Sequence, residues 1–287
     1  QFFGDALSRR SSDAAQQCVQ GSADVAVVAD ASNVDTITKL AENYNAEASP
    51  VGDKCVNVVV TEADSDSVLA GLSGGWSAEL GQRPALWIPA SSIPAARLQA
   101  AIGPAVVSDA RSLVTSPVLL AMRPELKDAL GQQNWAALPA LQSNPSALDA
   151  VNLPGWGGLR LALPSSGAAD AGYLAAEAVA ATSAPPGAPA TAGLPSATAL
   201  LADRPRLADD SADTAWQALV DTTDPAGAPV HAVAITEQQL YQRAKDLPEA
   251  GQSVAGWRPA GPVAVADYPT VLLAGDWLNE EQVAAAS

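Results

Sequence analysis

Short apolar runs alternate with helix-like segments in the first third of the chain. Residues 23–29, 56–60 and 85–88 are apolar runs of strand length. Between the first two runs, apolar side chains recur at helical spacing: Val34, Ile37, Leu40 and Tyr44. Strands that alternate with helices are typical of a parallel sheet, so this pattern predicts a βαβαβ unit.

The pattern changes in a β-rich run at residues 112–123, which Ser116-Pro117 interrupts. Proline cannot donate to a ladder, so it marks an edge, a bulge or a crossing point, and we interpret this site as a hinge. A second lobe would hold a strand at 159–163 and a helix at 170–181. The predicted organisation is lobe 1 from 1–117, lobe 2 from 118–258, and a return to lobe 1 from 259–287.

Composition and charge narrow the class of protein. Hydrophobic residues make up 48% of the 287 residues and charged residues 16%, which indicates a globular chain. The net charge of -16 repels phosphate backbones and anionic lipids, so we expect no nucleic-acid partner. No apolar run reaches about 18 residues. We therefore expect a membrane connection only through a segment outside this chain.

The two cysteines bear on cellular location. Cys18 precedes the first apolar run and Cys55 opens the second. If those runs are neighbouring strands, a disulfide between the cysteines is geometrically reasonable and indicates export, while two buried thiols are the alternative. One histidine and two distant cysteines cannot build a tetrahedral metal site, so we expect no metal.

Small polar residues follow four predicted strands, where helices should begin. The residues concerned are Ser32 and Asn33, the Asp64–Ser67 segment, Ser91 and Ser92, and Ser165 and Ser166. Such side chains cap helix N-termini, and the same N–H groups can instead hold an anionic or hydroxylated ligand. Ligands bind at the carboxyl ends of parallel strands, so capping and binding both remain open.

No other motif supports catalysis or a cofactor. Asp30-Ala-Ser32-Asn-Val34 resembles the start of a metal-ion-dependent adhesion motif, but it lacks the second serine. His231 is the only candidate histidine base, and there is no G-x-S-x-G elbow, so we interpret His231 as a structural or surface residue. The chain contains no P-loop and no G-x-G-x-x-G after its first strand, so we expect no catalytic residue and no cofactor.

The seven tryptophans are mostly interpreted as packing residues. Two of them, Trp156 and Trp257, lie in predicted loops, where an indole could instead stack on a sugar ring.

Six segments together resemble a known family. They are AVVADASNVD, CVNVVVTEADSDSV, RPALWIPASS, LVTSPVLLAMRPELKDALG, GWGGLRLALPSSGAADAGYLAAEAV and VAVADYPTVLLAGDWLNEEQVAAA. The chain from Cys18 onward resembles type II extracellular solute-binding domains. It is most similar to the actinobacterial subgroup that precedes a von Willebrand factor A domain in a membrane-anchored envelope protein.

The resemblance implies a two-lobed, periplasmic-binding-protein-like α/β fold, in which each lobe is a mainly parallel sheet flanked by helices. It also implies an interlobe ligand cleft and export to the cell envelope. The residues expected to line the cleft are Ser32, Asn33, Ser65, Ser91, Ser92, Ser116, Ser165, Ser166 and Tyr268. The chain departs from the transporter pattern because it has no lipobox cysteine near its start and no obvious charged residue to clamp a ligand.

We therefore predict noncatalytic binding of a small solute or an envelope glycan, with lobe closure as the mechanism. The alternative is an envelope scaffold with a vestigial cleft, whose partners are other envelope proteins. An enzyme is the third hypothesis, supported only by polar residues at the expected cleft.

Overall fold

The computed structural model describes residues 21–47, 50–51, 54–167 and 169–286. The chain forms two compact units. Unit 1 consists of Gln1–Val114 and Asp267–Ser287, and unit 2 consists of Thr115–Ala266. The chain passes between the units inside two long strands, Val107–Met122 and Val265–Leu273.

The helices and strands follow one another in this order: β1 (Ser22–Ala29), α1 (Val34–Glu47), β2 (Pro50–Val51), β3 (Lys54–Glu62), α2 (Ser65–Gly74), β4 (Leu86–Ile88), α3 (Ser92–Ile102), β5 (Val107–Met122), α4 (Pro124–Leu130), α5 (Leu138–Ser143), β6 (Leu161–Ala162), α6 (Asp170–Ser183), α7 (Leu194–Ala202), α8 (Ala212–Val220), β7 (Ala232–Thr236), α9 (Glu237–Ala244), α10 (Ala250–Ser253), β8 (Ala255–Trp257), β9 (Val265–Leu273) and α11 (Glu280–Ala286). No helix in these described ranges is long and apolar enough to cross a bilayer.

In unit 1, β1 lies between two parallel neighbours, β3 and β4. The outer strands β2 and β9 pair antiparallel with β3 and β4. Val28 of β1 packs in one cluster with Val68 of α2 and Leu98 of α3, whereas Val27 packs in another with Ile37 of α1. Because helices cover both faces, β1 reads as a continuous apolar run, and the predicted βαβαβ unit is confirmed.

In unit 2, β7 is the central strand and all five of its residues are buried. It pairs in parallel with β6 and antiparallel with β5, which also pairs antiparallel with β8. Alternate residues of β5 enter different clusters: Leu120 packs with Trp135, and Leu119 packs with Trp216. The sheet therefore has helices and loops packed on both of its faces.

Three details differ from the prediction. Among the described strands of unit 2, β6 and β7 form the parallel pair, because β5 enters from unit 1 in the opposite direction. β5 runs unbroken through Pro117, since its ladder with β7 begins only at Val118 and loses no hydrogen bond to the proline. The sequence reading also missed α4, although Pro124 at its first turn and Leu126 and Leu130 at helical spacing signal it.

The register places Cys55 opposite Ser22, so the two runs near the cysteines are neighbouring strands, as the disulfide hypothesis required. Cys55 has no free thiol. Cys18 lies outside the described residues, so the pairing of the two cysteines stays a prediction.

The edge of β3 that faces away from β1 is covered in part by a side chain of α1. Asn45 Nδ2 donates to the carbonyl of Val58 at 2.9 Å, and Asn45 Oδ1 accepts from the N–H of Val58 at 2.8 Å. The asparagine amide thus replaces a neighbouring strand at this residue, which limits pairing by another chain.

Replacing Asn45 with alanine removes both hydrogen bonds, so we expect the Asn45→Ala variant to lose about 1–2 kcal/mol of unfolding free energy. Denaturant unfolding measures this loss. The matched variant Asn43→Ala changes an exposed residue of the same helix and should stay within about 0.5 kcal/mol of the parent. Equal losses in the two variants would contradict the edge role of Asn45.

Candidate functional site

The loops that follow β1, β3 and β4 meet around one carboxylate, Asp30, which is 5% exposed. Asp30 Oδ1 accepts from the N–H and hydroxyl of Ser32 at 3.1 and 2.9 Å. Asp30 Oδ2 accepts from the N–H and hydroxyl of Ser65 at 3.2 and 2.8 Å. One side chain therefore joins the β1 loop to the start of α2.

The loop after β4 is joined to the other two loops through Ser65 and Asn33. Ser65 Oγ accepts from the N–H of Ala90 at 3.0 Å while it donates to Asp30. Asn33 Nδ2 donates to the carbonyl of Pro89 at 3.2 Å. The structure thus brings Ser32, Asn33, Ser65 and the residues just before Ser91 into one hydrogen-bonded group, which we call the Asp30 cluster.

Most polar atoms of the Asp30 cluster are occupied by the protein itself. Ser65 uses its hydroxyl both as donor and as acceptor, and Ser91, which is 1% exposed, caps α3 by accepting from Ile93 N at 3.1 Å. Asn33 Oδ1 is shielded from solvent without a hydrogen-bond partner. Ser92 is exposed, and its N–H donates to Asp267 Oδ1 at 3.3 Å.

The roles of two carboxylates at this site, Asp267 and Asp30, were not predicted from the sequence. Asp267 is a carboxylate at the site that sequence reasoning missed, and its place one residue before Tyr268 was the available signal. Asp30 was read only as part of an incomplete metal motif. Among the described residues, no group of three histidine, cysteine, aspartate or glutamate side chains could hold a metal ion. Tyr268 is buried in β9, at 4% exposure.

In unit 2, the loop after β6 carries Ser165 and Ser166. Their N–H groups donate to the carbonyl of Asp210 at 2.9 and 3.3 Å, and Ser165 Oγ donates to Asp210 Oδ2 at 3.4 Å. The loop also packs closely against the first turn of α6. A Cβ at Gly172 would lie only 2.2 Å from the carbonyl oxygen of Pro164. The backbone of a neighbouring segment therefore holds this loop in place.

Ser116 lies at the same edge of the unit 2 sheet. It is 5% exposed, and its Oγ accepts from the N–H of Gln238 at 3.0 Å, at the start of α9. α9 follows the carboxyl end of β7, and Ser165 follows the carboxyl end of the parallel strand β6. Ser116 therefore acts as a cap in this structure, close to the edge that carries the Ser165 loop.

His231 lies at the amino ends of the same two strands, opposite Ser165. The N–H of Arg160 donates to its Nδ1 at 3.3 Å, and its Nε2 lies 2.5 Å from the Arg160 guanidinium. Its ring centroid lies 5.1 Å from that of Trp156, with the two ring planes tilted by 43°. Burial, followed by repulsion from Arg160, lowers the pKa of His231 to about 4. The ring is therefore neutral at pH 7 and is enclosed by its own neighbours.

The two loop tryptophans are also enclosed. Trp156 is 8% exposed and packs against His231, and Trp257 is 3% exposed and donates to the carbonyl of Gly131 at 2.9 Å. Neither indole presents a face to solvent, so the sugar-stacking hypothesis is wrong for these two residues.

The fold agrees with a comparison to known proteins. Residues 25–277 match the family described as bacterial extracellular solute-binding protein. The chain belongs to this family.

Relatives in Mycobacterium tuberculosis, from strains H37Rv and CDC 1551, are each 59% identical over 286 residues. The match covers 100% of this chain and 42% of each relative, so the chain spans less than half of their length.

Two solved structures share the fold at low sequence identity. A Trichodesmium protein in complex with iron and citrate has a TM-score of 0.59 at 10% identity, with 92% of this chain and 79% of that chain covered. A Clostridium difficile substrate-binding domain attributed to a molybdenum ABC transporter has a TM-score of 0.50 at 14% identity, with 92% and 88% covered. The solute-binding protein therefore has the predicted two-lobed type II fold.

Replacing Asp30 with asparagine leaves an amide nitrogen facing the donors of Ser32 or Ser65. We expect the Asp30→Asn variant to lose about 2–3 kcal/mol of unfolding free energy, because buried donors lose their acceptor. Denaturant unfolding measures the loss, and amide exchange at Ser65 and Ala90 should accelerate. The exposed residue Asp35 provides the control Asp35→Asn, and equal stability of the two variants would show that Asp30 does not join the loops.

The low pKa of His231 destabilises the folded protein in acid. Its unfolded pKa of 6.5 lies above the folded value of about 4, so the unfolded chain binds the proton first. The contribution of neutral His231 to the free energy of unfolding should be fully present above about pH 6.5. It should fall by up to about 3 kcal/mol as pH drops towards 4.

Proton NMR can follow this group directly, because His231 is the only histidine. The C2 proton should titrate near pH 4 in the folded protein and near 6.5 in denaturant. A folded-state midpoint close to 6.5 would show that the ring is not enclosed as the structure has it.

Proposed function

We propose that this protein binds a small solute or an envelope glycan, without chemical change, through the loops at the carboxyl ends of its strands. The observation that carries the proposal is the convergence of three such loops on Asp30 in unit 1. This edge is where ligands bind in open sheets with parallel strands. Membership in the solute-binding family supports a small molecule as the ligand.

The candidate residues then divide into two roles. Ser92, Ser166 and Asn33 are the proposed contacts, because the two serines are exposed and Asn33 is partly exposed at the end of the β1 loop. Ser32, Ser65, Ser91, Ser116, Ser165 and Tyr268 hold the loops and strands that present those contacts. The interlobe cleft and its closure stay predictions.

The absence of catalysis is also part of the proposal. Its support is the position of His231, at the opposite strand ends from Ser165 and with both ring nitrogens facing Arg160 or the backbone. A serine nucleophile in the Ser165 loop therefore has no histidine base beside it, because His231 lies at the opposite ends of the strands.

We further propose that the protein acts in the cell envelope, with a disulfide between Cys18 and Cys55. Mass analysis after alkylation, with and without reduction, tests the disulfide. Attachment to a membrane and a neighbouring von Willebrand factor A domain are carried only by the resemblance of the sequence to that actinobacterial subgroup.

A protein-interaction scaffold is the second candidate, and one observation favours it. The hydroxyls of Ser65 and Ser91 already bind protein groups, and a ligand would have to break those bonds to use them. Binding of an envelope protein that persists when the loop contacts are removed would support this function instead.

A thermal-shift screen against sugars, amino acids, oxyanions, nucleosides and cell-wall fragments tests the binding function. A ligand present at 100 times its Kd adds about 2.7 kcal/mol of stability, which corresponds to a shift of a few degrees in a chain of this size. We expect at least one solute class to raise the Tm.

The combined variant Ser92→Ala with Ser166→Ala should abolish that shift and leave the Tm of the free protein nearly unchanged, because both residues are exposed. The variant Ser73→Ala, which changes an exposed serine of α2, serves as the control. A Tm shift that persists in the combined variant would contradict the proposed contacts. A screen in which no solute raises the Tm would favour the scaffold function.

A further inference from the structure

One aromatic ring at the unit 2 loop is open to solvent. Tyr173 lies in the first turn of α6 and is 47% exposed, whereas the tryptophans of unit 2 are buried. Exposed aromatic rings that line a binding edge contribute a flat apolar surface for a ligand.

The ring of Tyr173 is held in position. Its hydroxyl donates to the carbonyl of Ser165 at 3.1 Å. The neighbouring residue, Gly172, lies so close to Pro164 that a Cβ would approach the Pro164 carbonyl oxygen to 2.2 Å. Helix α6 and the Ser165 loop are thus in direct contact beside the tyrosine. A ring fixed in this way loses little conformational entropy when a ligand packs on it.

Charged groups lie beside the same loop residue. Ser165 bonds to Asp210 through its N–H and its hydroxyl, and Arg204 lies 3.8 Å from the Asp210 carboxylate. The side chain of Asp210 is 60% exposed and that of Arg204 is 31% exposed. Ser165 therefore connects an exposed ring with an exposed carboxylate and a half-buried guanidinium, whose Nε and Nη1 donate to the carbonyls of Leu201 and Leu163.

These groups match the two faces of a sugar. The C–H face of a sugar ring is apolar and packs on an aromatic ring, while its hydroxyls donate to a carboxylate and accept from a guanidinium. An oxyanion would meet the carboxylates of Asp209 and Asp210 at this loop. We infer that Tyr173, Asp210 and Arg204 form a subsite for a sugar ring. This inference rests on the proposed function and names the class of its ligand.

The test compares ring sugars with an open-chain polyol that has the same number of carbons as glucose. Purified full chain is titrated calorimetrically with glucose, galactose, arabinose and their short oligosaccharides, with sorbitol, and with molybdate, phosphate and citrate. We expect at least one ring sugar to bind, and sorbitol and the oxyanions to bind at least tenfold more weakly.

Variants of one residue separate the ring from its hydroxyl. Tyr173→Ala removes the stacking face and should weaken binding of the ring sugar about tenfold, which is the upper range for such contacts. Tyr173→Phe keeps the face and should weaken binding only a few-fold. Tyr241→Ala is the matched control, because Tyr241 on α9 is 70% exposed and should leave binding unchanged.

The outcomes distinguish this inference from the proposed function. Binding of an amino acid or oxyanion but no sugar would overturn the sugar subsite and leave solute binding intact. A sugar that binds Tyr173→Ala as tightly as the parent protein would overturn the assignment to these residues. If no solute of any class binds, the proposed function fails and this inference fails with it.

Discussion

The loops of unit 1 depend on the burial of a single charged group, the carboxylate of Asp30. A carboxylate removed from water must be compensated by hydrogen bonds, and Asp30 receives its four from two loops that are far apart in sequence. Ser65 Oγ in turn accepts from the N–H of Ala90, which joins the loop after β4 to the other two. The need to satisfy one buried charge therefore fixes the arrangement of three loop ends.

Unit 2 fixes its corresponding loop differently. The backbone carbonyl of Asp210 accepts from Ser165 and Ser166, and the small size of Gly172 allows the loop to approach α6. Rigid loops at the carboxyl ends of strands suit recognition without chemistry, because little must be ordered when a ligand binds. Because the buried hydroxyls are engaged, the proposed site assigns specificity to exposed groups, among them Ser92, Ser166 and Tyr173.

The sequence predicted the strands and helices of unit 1 well, because β1, β3 and β4 are apolar runs with helical spacing between them. It also placed the polar loops correctly at the strand ends. It could not show which hydroxyls are occupied, since the partner of Ser65 lies 35 residues away and depends on the packing of the sheet. The direction of β5 relative to β7 likewise depends on topology rather than on local pattern.

Individual side chains were hardest to predict where exposure decides their role. Trp156 and Trp257 each follow a glycine, which favoured loops in the sequence, yet Trp257 lies in β8 and both side chains are buried. Tyr173 lies in a helical segment that reads as ordinary, and only its exposure and its bond to Ser165 distinguish it. Family membership and fold indicate the class of function, whereas the ligand must be inferred from the side chains at the site.

The most direct measurement is amide NMR mapping of the isotopically labelled chain during titration with a solute that binds. We expect the largest changes in amide chemical shift at residues 30–33, 63–66, 89–92 and 164–167. The rest of each unit should be nearly unaffected. Changes confined to other surfaces, with these loops silent, would contradict the claim that the strand-end loops bind the solute.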